Sequence, residues 1–180
     1  MNSVEILKRL HQHRVWVNSN LLTAALQLSD KELQSPYQIG QGSIWKSLTH
    51  MYAAEYVWLA ALLGQEDFLV QGDVAGKLPG NQQGGDGITD IRDLRQKWSA
   101  LDQRWTNYLE SLREKSLEDV VYRISSSAGQ RFGTRRADIL LHVCTHAHYT
   151  VAQVVNMLRQ AGAEKLPETM LISLARLEAT

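Results

Sequence analysis

The stretch from Ile91 to Leu112 constrains the architecture more than any other part of the chain. Ile91, Leu94, Trp98, Leu101, Trp105, Tyr108 and Leu112 recur at alternating steps of three and four residues. That spacing keeps one face of an α-helix apolar and is the seam of a helix packed along a partner at a shallow angle. It predicts a helix from about Asp90 to Arg113. Three further segments repeat at helical steps. The first, from about Ser3 to Leu28, carries Leu7, Leu10, Val17, Leu21, Ala24 and Leu28. The second, from Ser43 to Leu63, carries Ile44, Leu48, Met51, Trp58 and Leu62, with Ser43 as its N-cap. The fourth runs from about Thr134 to Gly162, a glycine stop.

Helix breakers separate these segments. The three prolines are Pro36, Pro79 and Pro167, and seven of the twelve glycines fall between Gly64 and Gly87. Before the fourth segment, Val120, Tyr122 and Ile124 alternate with Val121, Arg123 and Ser125, then a Ser/Gly turn follows, which predicts a short β-hairpin. After Pro167, "ETMLISLARL" predicts a short terminal helix. Four long amphipathic helices in one domain, residues 1–180, predict an all-α four-helix bundle. The connection between the second and third helices exceeds twenty residues. It is long enough to cross the bundle, which gives an up-down-down-up order.

Lysine plus arginine and aspartate plus glutamate number 19 each, so the formal net charge is zero. Bulk binding to a phosphate backbone requires unpaired cations on one face, so no nucleic-acid partner is expected. The single cysteine, Cys144, excludes an intrachain disulfide and suits a reducing cytoplasm. No apolar run approaches the ~20 residues of a membrane span, and the first residues hold no apolar signal core. A soluble cytoplasmic protein without a membrane partner is the expectation.

Helical projection sorts the histidines of "LLHVCTHAHYTVAQVVNMLRQAG", residues 140–162. His146 falls within the apolar stripe of Ile139, Val143, Ala147, Val154 and Met157, and Thr150 follows one turn later. His142 lies at the margin; at i and i+4, it and His146 can share a ligand. His148 points elsewhere and is excluded from any site with His146. In the second segment His50 projects at one edge of a wide apolar arc, and Glu55 near its centre. A carboxylate there requires a partner, such as a backbone amide, a tryptophan N–H or an arginine. Cys144, at the edge of the stripe with no histidine on its face, reads as a buried inert thiol. Most of the five tryptophans read as core, and Arg135 and Arg136 as a solvated cap region.

In these segments the chain resembles the DinB family, the DinB/YfiT-like metalloenzymes. "HQHRVWVNSNLLTAALQLSDKEL" is similar to the family's first helix. "GSIWKSLTHMYAAEYVWL" is similar to its second-helix pattern of a small polar start, a histidine, then an acid and a tryptophan: Gly42, Ser43, His50, Glu55 and Trp58. The 140–162 stretch resembles the family's last long helix, which usually reads His, then His-x-x-x-His-Arg-Gly-Gln. The resemblance implies an up-down-down-up bundle, often a homodimer, and a divalent metal held by three histidines, one on the second helix and two on the fourth. It further implies metal-dependent transfer of a low-molecular-weight thiol, or hydrolysis, acting on a small-molecule substrate. His50 and His146 match two ligands. In the register set by Gln153, the third ligand position is Thr150, and the usual Arg and Gly are Val151 and Ala152.

Zinc and nickel sites usually need three protein ligands beside an open position, and a threonine hydroxyl is a weak ligand. Three arrangements follow. Thr150 hydrogen-bonds a water in a weakened site; His142 swings in as the third imidazole; or the site is empty, leaving a polar pocket in a non-enzymatic binding or structural dimer. Loss of one imidazole tips the balance toward an empty or weakly occupied site.

Overall fold

The computed structural model describes residues 2–179; Met1 and Thr180, the ends of the expected 1–180 domain, lie outside the described residues. It is mostly helical with one small sheet. The elements are α1 (Ser3–Ala25), α2 (Asp30–Gln34), α3 (Ile44–Leu62), α4 (Ile91–Ser111), β1 (Val120–Ile124), β2 (Arg131–Arg135), α5 (Arg136–Gln160) and α6 (Leu171–Glu178), with a 3₁₀ turn at Glu114–Glu118. The four long helices match the four periodic segments, and α5 packs against both α1 and α3.

Local chemistry sets the ends of these helices. Asn2 caps α1 and forms a capping box with Glu5; Ser43 caps α3 through the Lys46 amide; Asp90 caps α4 through the amides of Arg92 and Asp93. Two of the shifted boundaries have a local cause. The first helix stops at Ala25, short of Leu28, because Ser29 and Glu32 form a capping box that starts α2. The last long helix begins at Arg136, two residues after Thr134, because Thr134 and Arg135 complete β2, paired with Val121 and Val120. In α4 the buried seam ends on Leu109 in place of Tyr108 and Leu112. The added step of four follows from 3.6 residues per turn, which drifts away from a strict 3.5 repeat.

Trp98, Trp105, Leu21, Leu48, Met51, Leu94, Leu101, Ile139 and Leu140 fill the interior. Specific pairs fix how the helices face one another. His11 of α1 meets the Leu140 carbonyl, and His13 meets His148 further along α5. Tyr52 and Tyr56 of α3 meet Trp98 and Arg104 of α4. His50 and Trp58 of α3 meet His146 and His142 of α5, in reversed order.

The interior also holds a buried polar cluster. Glu55 forms an ion pair with Arg14 and accepts from Asn18 Nδ2 at 2.8 Å and Trp98 Nε1 at 2.9 Å. Asp102 lies 3.5 Å from the other side of the Arg14 guanidinium. Burial pushes the Glu55 carboxyl up, against the opposing pull of Arg14, Trp98 and Asn18. The carboxylate foreseen at the centre of the apolar arc therefore holds three helices together.

The crossover between α3 and α4 is ordered by its own hydrogen bonds. The Asp73 carboxylate accepts from the amides of Gly80 at 2.6 Å and Gln82 at 3.0 Å. Gly80, at φ +83°, presses onto α3; a Cβ there would sit 2.5 Å from His50 Cα and from the Thr49 carbonyl. Only glycine fits that contact and that backbone angle. Among the described residues, no helix is long and apolar enough to cross a membrane.

Candidate metal centre

Four segments meet around one cavity of about 220 Å³. Residues at i, i+4, i+7 and i+8 share a face of a helix, so α3 presents His50, Ala54, Val57 and Trp58 together. One turn apart, His142 and His146 come from α5. The crossover contributes Pro79. The hairpin contributes Arg123 and the serines of its turn. Along β1, residues two apart share a face, so the strand that buries Val121 in the core also turns Arg123 inward.

His50 and His146 are the centre of this arrangement. His50 Nδ1 lies 2.8 Å from the Pro79 carbonyl oxygen. A carbonyl only accepts, so Nδ1 carries the proton, and in the neutral ring Nε2 is left as a lone pair. His50 Nε2 faces His146 Nε2 at 3.2 Å, with the rings nearly edge to face. Two imidazole nitrogens on adjacent corners of a tetrahedral zinc site are roughly 3.3 Å apart, given Zn–N bonds of ~2.0–2.1 Å. The pair therefore fits two corners of a divalent-metal site. Without a metal, His146 Nε2–H donates to His50 Nε2. Burial holds the His146 imidazole down at about 4, helped by His50 and His142, so at neutral pH it is uncharged.

A third donor is not in position. The His142 ring centroid is 5.6 Å from that of His146 and 5.4 Å from that of Trp58. His142 lies on the open side of the cavity, and burial lowers its imidazole pKa. Thr150 is buried and donates its hydroxyl to the His146 carbonyl at 3.1 Å; it does not line the cavity. Among the described residues, no group of three His, Cys, Asp or Glu side chains is arranged to hold a metal ion. His148 is exposed, against His13 on another face. Cys144 is half-buried and opens toward the groove between α1 and α5, which His13 and His148 also line, so the expected face without a histidine is not what the structure has; burial pushes its thiol up to about 12.

Several contributors to this cavity could not be found from periodicity. Trp58, read with the core, forms the cavity wall, with the Arg123 guanidinium over its ring at 5.1 Å. Pro79 looked like a breaker and proves to be the hydrogen-bond partner of His50. The hairpin turn is tied down by Gly76 N–H donating to the Ser126 carbonyl and by the Arg131–Glu66 pair. Arg135 and Arg136 are engaged by Glu118, Asp138 and Asp119, away from the cavity.

Known proteins share this fold. The DinB family model matches residues 1–175. Protein DinB of Bacillus subtilis is 23% identical over 161 residues, covering 88% of each chain. A DinB-like protein from Bacillus cereus superposes with a TM-score of 0.62 at 14% identity, over 89% of this chain and 95% of that one. YfiT from Bacillus subtilis, described as a probable metal-dependent hydrolase with an unusual four-helix bundle topology, superposes with a TM-score of 0.61 at 19% identity, over 88% of this chain and 89% of its own. With the family model spanning nearly its whole length, the chain belongs to the DinB family.

Proposed function

We propose that this chain is a DinB-family protein with a modified divalent-metal centre that hydrolyses a small molecule. The observation that carries the reading is the 3.2 Å approach of His50 Nε2 and His146 Nε2, with Pro79 fixing the His50 tautomer. A ligating histidine commonly donates its other ring N–H to a backbone carbonyl or carboxylate, and His50 has that partner. His142 is the third imidazole, reaching the pair by side-chain rotation from its place beside Trp58. A bound zinc or nickel ion would supply Lewis acidity, acidifying water and polarising a substrate carbonyl. The chain itself orients His50 through Pro79, keeps His146 uncharged by burial, and walls the cavity with Trp58. Hydrolysis is preferred to transfer of a low-molecular-weight thiol because it needs only water as the second reactant.

The proposal includes the up-down-down-up course. It is supported by the parallel order of the α1–α5 and α3–α4 pairs and the reversed order of α3–α5. It also includes a homodimer in the cytoplasm, for which exposed Met170, Ile172 and Leu177 at α6 offer apolar surface.

A second reading, a metal-free binding or structural protein, is favoured by the lack of a ready third donor among the described residues. Elemental mass spectrometry on untagged protein, with and without added zinc or nickel, separates the two. Near-stoichiometric metal, lost in His50→Ala, supports the metal centre. No metal at micromolar supply sinks it and leaves the binding protein.

A further inference from the structure

Arg123, like Arg104 over the Tyr56 ring, differs from the arginines of the core and hairpin that pair with carboxylates. Arg14, Arg131, Arg135 and Arg136 each meet a carboxylate. Arg123 is half-buried, and among the described residues it has no ion pair. Its guanidinium lies over the Trp58 ring at 5.1 Å and donates to the Ser126 hydroxyl at 3.5 Å. Among the described residues, no carboxylate lines the cavity it shares with His50, His142 and His146. A guanidinium withdrawn from water without a counter-charge is costly, and burial pulls the Arg123 pKa down accordingly.

The surroundings of Arg123 suit a ligand. Stacking on an aromatic face holds a guanidinium in place and leaves the N–H edge free for a planar, two-oxygen acceptor. The turn adds Ser125 and Ser127, which line the same cavity; their hydroxyls lie 3.2 Å apart, and Ser125 Oγ also accepts from the Ala128 amide. One cation with neutral hydroxyls matches a monoanion better than a dianion. At about 220 Å³ the cavity is smaller than the roughly 300–1,000 Å³ that holds a drug-sized ligand. The hairpin turn is held by the Gly76–Ser126 backbone bond, and the Glu66 carbonyl accepts from the Ile124 amide at 2.9 Å, so Arg123 is presented from a fixed frame.

We propose that Arg123, backed by Trp58 and flanked by Ser125–Ser127, is the anchor for the carboxylate of a small organic monoanion in the histidine cavity. It thereby sets the substrate class of the proposed centre. The assignment builds on the reading of that cavity as the reactive site, yet Arg123 binds the anion through its own charge and hydrogen bonds, without a metal.

The test uses the full chain stripped of metal, with ligand-observed NMR titrations of butyrate, its neutral isostere butyramide, and inorganic phosphate. Butyrate should bind saturably, and butyramide at least about tenfold more weakly, as expected for losing a charge-assisted pair. Arg123→Gln should weaken butyrate to the level of butyramide, and Arg123→Lys should restore part of the loss. Equal binding of acid and amide, unchanged butyrate affinity in Arg123→Gln, or no saturable butyrate binding at tens of millimolar would each overturn the proposal. Phosphate binding tighter than butyrate would overturn the monocarboxylate assignment. Zinc uptake by Arg123→Gln is measured separately. Loss of butyrate binding with uptake intact isolates the anchor. Anion binding without any metal uptake would leave the anchor standing and remove the metal centre.

Discussion

His50 Nδ1–H donates to the Pro79 carbonyl across 2.8 Å, so a loop residue decides which nitrogen of a helix histidine is left for His146. Gly80 makes that bond possible by letting the loop press against α3. Gly80→Ala would place a Cβ 2.5 Å from two backbone atoms at a φ of +83°. The expected cost is about 1–3 kcal/mol for the backbone alone. Urea denaturation should register it, and nitrogen NMR of the His50 ring should lose the signature of a protonated Nδ1. A variant as stable as the parent, with an unchanged His50 ring, would contradict this account of the loop.

His50→Ala and His146→Ala should each cut zinc or nickel affinity by about tenfold or more, since even an outer-shell partner is worth 10–100-fold. His142→Ala should do the same if rotation supplies the third imidazole. His148→Ala serves as the control, because its ring lies against His13 on another face. Metal loss confined to His148→Ala would place the site elsewhere.

Arg14 and Glu55 should behave as a unit. Glu55→Leu leaves a buried guanidinium with only the distant side of Asp102, at an expected cost of about 3–5 kcal/mol. Arg14→Met combined with Glu55→Leu should recover much of that loss. Simple additivity of the two single changes in denaturant titrations would refute the coupling.

His11 predicts an acid dependence. Burial pulls its imidazole down to about 3, with the Arg14 charge assisting and its bond to the Leu140 carbonyl opposing. In the unfolded chain the same ring titrates near ~6.5. Between these values the unfolded state binds the extra proton, so the His11 contribution is whole above pH 6.5 and falls as pH drops toward 3. The expected slope is about 1.4 kcal/mol per pH unit. Asp102, which burial raises to about 7, contributes with the opposite sign over part of the window. The stability difference between the parent and His11→Gln isolates the histidine; a difference independent of pH would remove it as the cause.

Cys144 should resist alkylation. With its thiol pushed up to about 12 by burial, the thiolate is scarce at neutral pH. Iodoacetamide labelling should be slow in the native protein and fast in denaturant. Equal rates would mean that the thiol is open.

The periodic parts of the fold were legible because each long helix meets its neighbours along a continuous face. Burial of Ile91, Leu94, Trp98, Leu101 and Trp105 follows directly from their spacing. Helix ends were less legible, because a competing local structure decides them: the Ser29/Glu32 box at one end, and pairing of Thr134 with Val121 at another. The box could have been read from Ser-x-x-Glu. In the cavity, His50, His142 and His146 were found because a histidine within an apolar run is visible in one dimension. Arg123 and Pro79 were not, since each becomes informative only when the hairpin and the crossover are laid over α3. Glu55 was visible as an anomaly whose partner could be an arginine or a tryptophan N–H; that Arg14 of α1 and Trp98 of α4 supply them was not.

The His50–His146 contact joins residues 96 positions apart. No short peptide contains both residues, so neither α3 nor α5 alone can display the pair. Such a contact forms only after a long loop has closed, and it is lost whenever the bundle opens. A ligand captured there by the folded chain alone would hold the bundle closed by mass action, about 2.7 kcal/mol at a hundredfold excess over Kd. Resistance to proteolysis would then rise with the supply of that ligand, making the survival of the protein a record of its occupancy.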